Sequence, residues 1–201
     1  MTLAAKKQLF TQAEYLRLEA AALDRHEYHA GEILAMSGGT YQHSRINTNF
    51  ISELSQRLKG GPCFALESNM RLRIARADKY VYPDCMVVCG EPVFDPLDVN
   101  LTTITNPSVI VEVLSDSTEA YDRGEKFTAY RDLPSVKEYV LVSQHRPMAE
   151  TFFRQDDGIW RFSAFQGLDA ITMLPSVQIG IPLSDVYAGL TFLPAAVPPA
   201  E

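Results

Sequence analysis

Residues 106–130, NPSVIVEVLSDSTEAYDRGEKFTAY, decide the fold. The apolar run VIVEVL at 109–114 reads as a buried strand, and it holds one carboxylate, Glu112. An ionised side chain in such a strand is costly without a compensating partner, which marks Glu112 as a functional candidate. Small polar residues from Ser115 to Tyr121 follow the strand. Asp122 and Glu125 then stand three apart, the spacing of a capping box, so a helix is expected to begin near Arg123. Phe127, Tyr130 and Leu133 are its inner positions, and Pro134 ends it. Lys126 falls in its second turn, where a short strand-to-helix turn can bring the ammonium back toward Glu112.

Outward from this stretch, a second apolar run, YVYPDCMVVCG, is interrupted by Asp84 directly after Pro83. The 28 positions between Asp84 and Glu112 are enough for strand, loop and adjacent strand. Two carboxylates and a lysine at such a junction suit metal-assisted attack on a phosphodiester. The acids hold a hard cation through oxygen, and the lysine steadies charge on the attacking water or the phosphoryl oxygens. The competing explanation makes each acid a strand-end residue bonded to backbone.

Taken together, PD at 83–84, VIVEVLS at 109–115 and STEAYDRGEKFTAY at 117–130 resemble the Uma2 family of restriction-endonuclease-like proteins, within the PD-(D/E)XK nuclease superfamily. The similarity runs from about Thr11 to Leu190 and takes in EYHAGEILAMSGG at 27–39, His43 and SNMRLRI at 68–74. The resemblance implies an α/β fold, a restriction-endonuclease-like mixed β-sheet core flanked by helices, with a further C-terminal β-hairpin region. It implies Mg²⁺ or Mn²⁺ held by Asp84 and Glu112. The superfamily's usual lysine would stand two places after Glu112, where this chain has Leu114; Lys126 matches the position to which it has moved in the family. Glu32, just past a hairpin turn, is a third carboxylate candidate by the same resemblance, against the alternative of an exposed turn acid.

One domain is expected over residues 11–190, with loose termini at 1–10 and 191–201. The length of 201 residues and 46% apolar content fit a single substantial core. Thr11 and Glu14 form a capping box ahead of a first helix. HEYHAGEILAMS at 26–37 reads as two short strands around Ala30 and Gly31. A helix follows over about 41–59, with Ile46, Phe50, Ile51, Leu54 and Leu58 as its buried stripe. His43, near its start, could reach a phosphate or a water in the site, or be an ordinary polar residue of a first turn. Arg71 and Arg73 share a strand face, expected to be solvated rather than to meet phosphate. Residues 91–106 read as a loop. EYVLVS at 138–143 is a buried strand, and Gln144 just beyond it could face the site. The aromatic residues from Phe152 to Phe165 suit cross-strand packing in a hairpin or a homodimer contact.

A net charge of −7 and a pI near 5.1 argue against coating nucleic acid by bulk electrostatics, though a local basic cleft or bound cations can offset the total. Three cysteines, Cys63, Cys85 and Cys89, are expected as structural thiols in a reducing compartment, since the further ligands of a zinc site are missing nearby. No stretch has the roughly 20 apolar residues that span a bilayer, and no leader is visible, so a cytoplasmic location is expected. No phosphate-binding glycine loop and no GxSxG elbow occurs. The expected activity is metal-dependent cleavage of nucleic acid, DNA ahead of RNA. A nuclease-like binding or assembly module that no longer cuts is the alternative.

Overall fold

The computed structural model describes residues 8–36 and 38–192; the stretches 1–7 and 193–201, which hold most of the expected loose termini, lie outside them. Thr11 caps α1 (Gln12–Ala21) with both halves of the capping box in place. The pair β1 (His26–His29) and β2 (Glu32–Ala35) turns on Ala30 and Gly31, both at positive φ, as a tight two-residue hairpin requires. Phe10 is tied to this turn, its N–H donating to the Gly31 carbonyl at 2.8 Å.

Next comes α2 (Tyr41–Arg57), capped by Thr40, with Ile46, Phe50 and Leu54 fully buried along one stripe. The strands β3 (Cys63–Glu67), β4 (Arg71–Ile74), β5 (Lys79–Val81), β6 (Cys85–Cys89), β7 (Thr103–Ile104) and β8 (Val109–Leu114) follow. The chain then runs through α3 (Glu119–Tyr121), a π-helical segment (Asp122–Lys126) and α4 (Phe127–Arg131) into β9 (Glu138–Ser143). The strands β10 (Met148–Arg154), β11 (Trp160–Gln166), β12 (Ile171–Leu174) and β13 (Ile179–Pro182), and a short α5 (Leu183–Val186), complete it.

A six-stranded sheet of order β11-β10-β9-β8-β6-β3 forms the centre, and a five-stranded sheet of order β2-β1-β5-β4-β7 stands beside it. In the larger sheet β8 and β9 are parallel, and the other pairs are antiparallel. The parallel pair needs a crossover, which the helical stretch from Glu119 to Arg131 supplies. Both faces of the central strands are covered. Val109, Val111 and Val113 pack with Ile46, Phe50 and Leu54, whereas Ile110 and Leu114 pack with Ala129, Tyr130 and Tyr139. Alternation puts Glu112 on this second face, in place of a core aliphatic residue. The mixed α/β architecture with helices on its sheets is the one expected.

Several local expectations need correction. The helix starts at Glu119, a turn before Arg123, so Asp122 lies within the helical run rather than capping it. Arg71 and Arg73 do not present a solvated face. Arg71 is buried against Asp98 at 2.9 Å, and Arg73 pairs with the buried Asp95 at 2.6 Å, which fastens residues 91–106 onto β4; that stretch is not loop throughout, since its β7 pairs in parallel with β4. Cys63 and Cys89 are not free thiols. They face each other in the β3–β6 register with Cα atoms 4.0 Å apart and are joined by a disulfide, leaving Cys85 as a buried thiol. The hairpin aromatics do pack across strands: Phe152 stands opposite both Phe162 and Tyr139, and Phe127 stacks on Tyr139. No helix among the described residues is long and apolar enough to cross a membrane.

Candidate active site

The register of β6 against β8 pairs Cys85 with Val111, and one step further puts Asp84 opposite Glu112. The two acids are linked reciprocally through backbone. The Asp84 N–H donates to Glu112 Oε2 at 3.3 Å, and the Val113 N–H donates to Asp84 Oδ2 at 2.8 Å. Such links fix where each carboxylate sits.

Lys126 reaches the same point from the crossover. Its Nζ lies 2.8 Å from Glu112 Oε1, 3.5 Å from Asp122 Oδ1 and 3.9 Å from Glu27 Oε1, with its side chain only 8% exposed. The Tyr130 hydroxyl donates to Glu112 Oε1 at 2.7 Å. The π-helical segment carries both Asp122 and Lys126, and such widened turns are frequent at functional sites. One of its carbonyls, that of Asp122, accepts from the Tyr139 hydroxyl at 3.0 Å. Oδ1 of Asp122 is buried with no hydrogen-bond partner, although Lys126 lies near.

On the other side of Asp84, His43 Nε2 stands 3.2 Å from Oδ2. His43 is placed by the Thr40 cap, whose hydroxyl accepts from the His43 N–H at 3.1 Å and donates to Gln144 Oε1 at 2.7 Å. Glu27, Thr40, His43, Asp84, Glu112, Asp122, Lys126 and Gln144 line one cavity of about 580 Å³. Asp84, Glu112, Lys126, His43 and Gln144 are therefore brought together.

Glu32 is not among the lining residues. It shares a sheet face with Glu27 and His29 but pairs opposite His29 at the turn end, one step out. Glu27 and Asp122 occupy the cavity instead, and neither was singled out in the sequence. Glu27 accepts from the Tyr82 N–H at 3.3 Å and lies 3.0 Å from His29 Nε2.

The electrostatics follow from three carboxylates, Glu27, Glu112 and Asp122, within 3.9 Å of one ammonium, and from Asp84 beside Glu112. Burial, with Asp122 and Asp84 close by, pushes Glu112 up to about 8 despite Lys126. Asp122 is likewise raised, by burial first and then by Asp84, against the pull of Lys126. Burial also opposes charge on Glu27, but Lys126, His29 and the Tyr82 amide outweigh it and hold that carboxyl below its usual range. For Lys126 the surrounding acids overcome burial and hold the ammonium protonated well above its ordinary range. Burial disfavours a charged His43, and its bond to Asp84 more than compensates.

The donor chemistry fits a hard divalent cation: oxygen ligands and an excess of negative charge that a cation would relieve. Among the described residues, no three His, Cys, Asp or Glu side chains stand together as a ready-made metal-ligand set. A cation here would draw on the facing pair of acids, completed by water.

A restriction-endonuclease-like α/β fold, with an acidic pair across β6 and β8 and a lysine reaching it from the crossover, defines the class of protein. The chain belongs to the Uma2 family, described as "Putative restriction endonuclease", whose match covers residues 12–184. Two curated relatives from Synechocystis, both named as uncharacterized, are similar over nearly their whole length. One, slr1290, is 37% identical over 89% of this chain and 92% of its own; the other, sll1609, is 35% identical over 85% and 95%. In fold, the chain resembles the crystal structure of a putative nuclease of the DUF820 group from Anabaena variabilis. The TM-score is 0.66 at 15% identity, covering 86% of this chain and 96% of that one.

Proposed function

We propose that the protein is a metal-dependent nuclease that hydrolyses nucleic-acid phosphodiester bonds, DNA first. The observation that carries this reading is the facing of Asp84 and Glu112 across β6 and β8 with Lys126 seated on Glu112, inside a cavity. Asp84 and Glu112 would hold Mg²⁺ or Mn²⁺. The cation, when bound, offsets charge developing on the phosphate and makes water more acidic. Lys126 holds its ammonium where a phosphoryl oxygen or the attacking water comes to rest. His43 orients Asp84 through its Nε2, and Gln144 fixes the Thr40 cap that places His43. Asp122 and Glu27 keep Lys126 charged when Glu112 turns to another partner.

One observation favours a second reading, a binding module that no longer cuts. Both acids already have protein partners: two backbone N–H groups, Tyr130, His43 and Lys126. Titration of Mg²⁺ and Mn²⁺ into wild type and into a folded Asp84→Asn/Glu112→Gln variant, alongside cleavage of mixed DNA and RNA, separates the two. Ion binding and cutting lost together in the variant support the nuclease. A wild type that binds nucleic acid but neither ion, and cuts nothing, removes it.

A further inference from the structure

The polar contacts across the cavity floor run in one order: His43, Asp84, Glu112, Lys126, Glu27, His29. The successive separations are 3.2, 3.3, 2.8, 3.9 and 3.0 Å, the second being from the Asp84 N–H to Glu112. A carboxylate–histidine pair thus stands at each end of the row. His43 belongs to the end with the cation-holding acids. His29 belongs to the other end, has a side chain 17% exposed and lines the cavity.

The His29 ring is held on three counts. Glu27 is 3.0 Å from its Nε2, the Tyr121 hydroxyl is 3.3 Å from the same nitrogen, and the two rings stack with centroids 5.7 Å apart. Tyr121 is itself fixed by Lys79, whose Nζ donates to its hydroxyl at 3.3 Å. The groups facing this end are Glu27, Glu32, Tyr121, Lys79, Lys126 and Glu125; Glu32 stands opposite His29 in the β1–β2 register, and Glu125 is 3.9 Å from Lys79 Nζ. A carboxylate behind an imidazole fixes the orientation of its ring.

In an in-line displacement the attacking and leaving oxygens lie on opposite sides of phosphorus. An alkoxide leaving oxygen needs a proton, and His29 is the imidazole that lines the cavity at the end of the row away from Asp84.

We propose that His29, oriented by Glu27 and Tyr121, is the proton donor to the leaving oxygen. This rests on the nuclease reading above. As water oxygen bonds to phosphorus, the phosphorus–leaving-oxygen bond breaks with its electron pair on that oxygen. The imidazolium gives its proton there from the ring nitrogen not engaged by Glu27. The proton of the water passes to solvent, and solvent reprotonates His29. The products are a phosphomonoester and an alcohol.

The test is leaving-group dependence in His29→Gln. Three oligonucleotides are compared in Mn²⁺: one all-oxygen, one with sulfur replacing a single bridging 3′ oxygen, and one with sulfur replacing the bridging 5′ oxygen. Sulfur leaves without a proton. The expected result is that the variant cuts the all-oxygen strand about a hundredfold more slowly than wild type, the scale of one general acid, but matches wild type on one of the sulfur substrates. An equal loss on all three, or no loss, overturns the proposal. Mn²⁺ affinity of His29→Gln, measured by calorimetry, is expected to equal that of wild type; weakened binding overturns the proposal by putting His29 on the cation. A wild type that cuts none of the three strands brings down the nuclease reading itself, a result distinct from selective failure of the variant.

Discussion

Replacing Lys126 with methionine removes the one ammonium among the buried acids and keeps most of the side-chain volume. Glu112 loses a partner at 2.8 Å, Asp122 one at 3.5 Å and Glu27 one at 3.9 Å. Removing one member of a buried ion pair costs about 3–5 kcal/mol, because the charge left behind has no compensation. At roughly 2–4 °C per kcal/mol for a chain of this size, the melting temperature should fall by about 6–20 °C. The pH dependence has a definite sign. Glu112 already has a folded-state pKa near 8, above its ordinary value, so its contribution to stability is intact below the ordinary carboxylate range and is lost as pH rises through 8. Lys126 pulls that pKa down, so without it the pKa climbs further and the loss deepens. The penalty in Lys126→Met should therefore be largest at pH 9 and shrink toward pH 5, where protonated acids need no ammonium. Urea unfolding followed by circular dichroism at pH 5, 7 and 9, in EDTA, measures it. A variant within 1 kcal/mol of wild type at pH 9, or a penalty that grows as pH falls, would refute the reasoning.

Glu138 is buried with Oε1 unpartnered while Ser176 donates to Oε2, and burial pushes its carboxyl up to about 7 from 4.5. A raised acid costs stability as pH climbs through that window, roughly 3 kcal/mol once complete, so Glu138→Gln should match wild type at pH 4.5 and exceed it at pH 8 in thermal melts. Tyr130→Phe deletes the hydroxyl that donates to Glu112 and should cost about 1.5–3 kcal/mol, read from urea midpoints; an unchanged midpoint would mean the bond contributes nothing. The Cys63–Cys89 bridge closes a loop 26 residues apart and should add about 3–4 kcal/mol. Reduction, or Cys63→Ser/Cys89→Ser, should lower the midpoint accordingly, and an unfolded, unreduced sample should show a single free thiol.

Asp84 and Glu112 were legible because each acid interrupts an apolar run, and period-two alternation turns such a break into a statement about one sheet face; Lys126 was placed by the short strand-to-helix turn that follows. Glu27 was not legible in this way. It sits in HEYH, where its neighbours are mostly polar, and only the packing of β1 beside the crossover helix shows that this face looks into a cavity. Asp122 was hidden by a competing local signal. Its spacing from Glu125 matches a helix start, yet the helix begins a turn earlier, so the same carboxylate becomes an interior group four positions from Lys126. The disulfide required the β3–β6 register, which spacing along the chain does not contain. Arg71 and Arg73 looked solvated because their partners, Asp95 and Asp98, come from a loop with no periodic pattern to place it.

The crossover between β8 and β9 has a consequence for the order of assembly. A hairpin partner can zip to its neighbour at once, but a parallel strand has to wait for the intervening chain to close over the sheet. Glu112 travels on the first strand of this pair, while Lys126 and Asp122 travel on the intervening chain. Until the crossover closes over β8, Glu112 lacks the ammonium that stands 2.8 Å from it in the folded chain. Docking of the crossover on the sheet and the pairing of Glu112 with Lys126 are therefore one and the same contact.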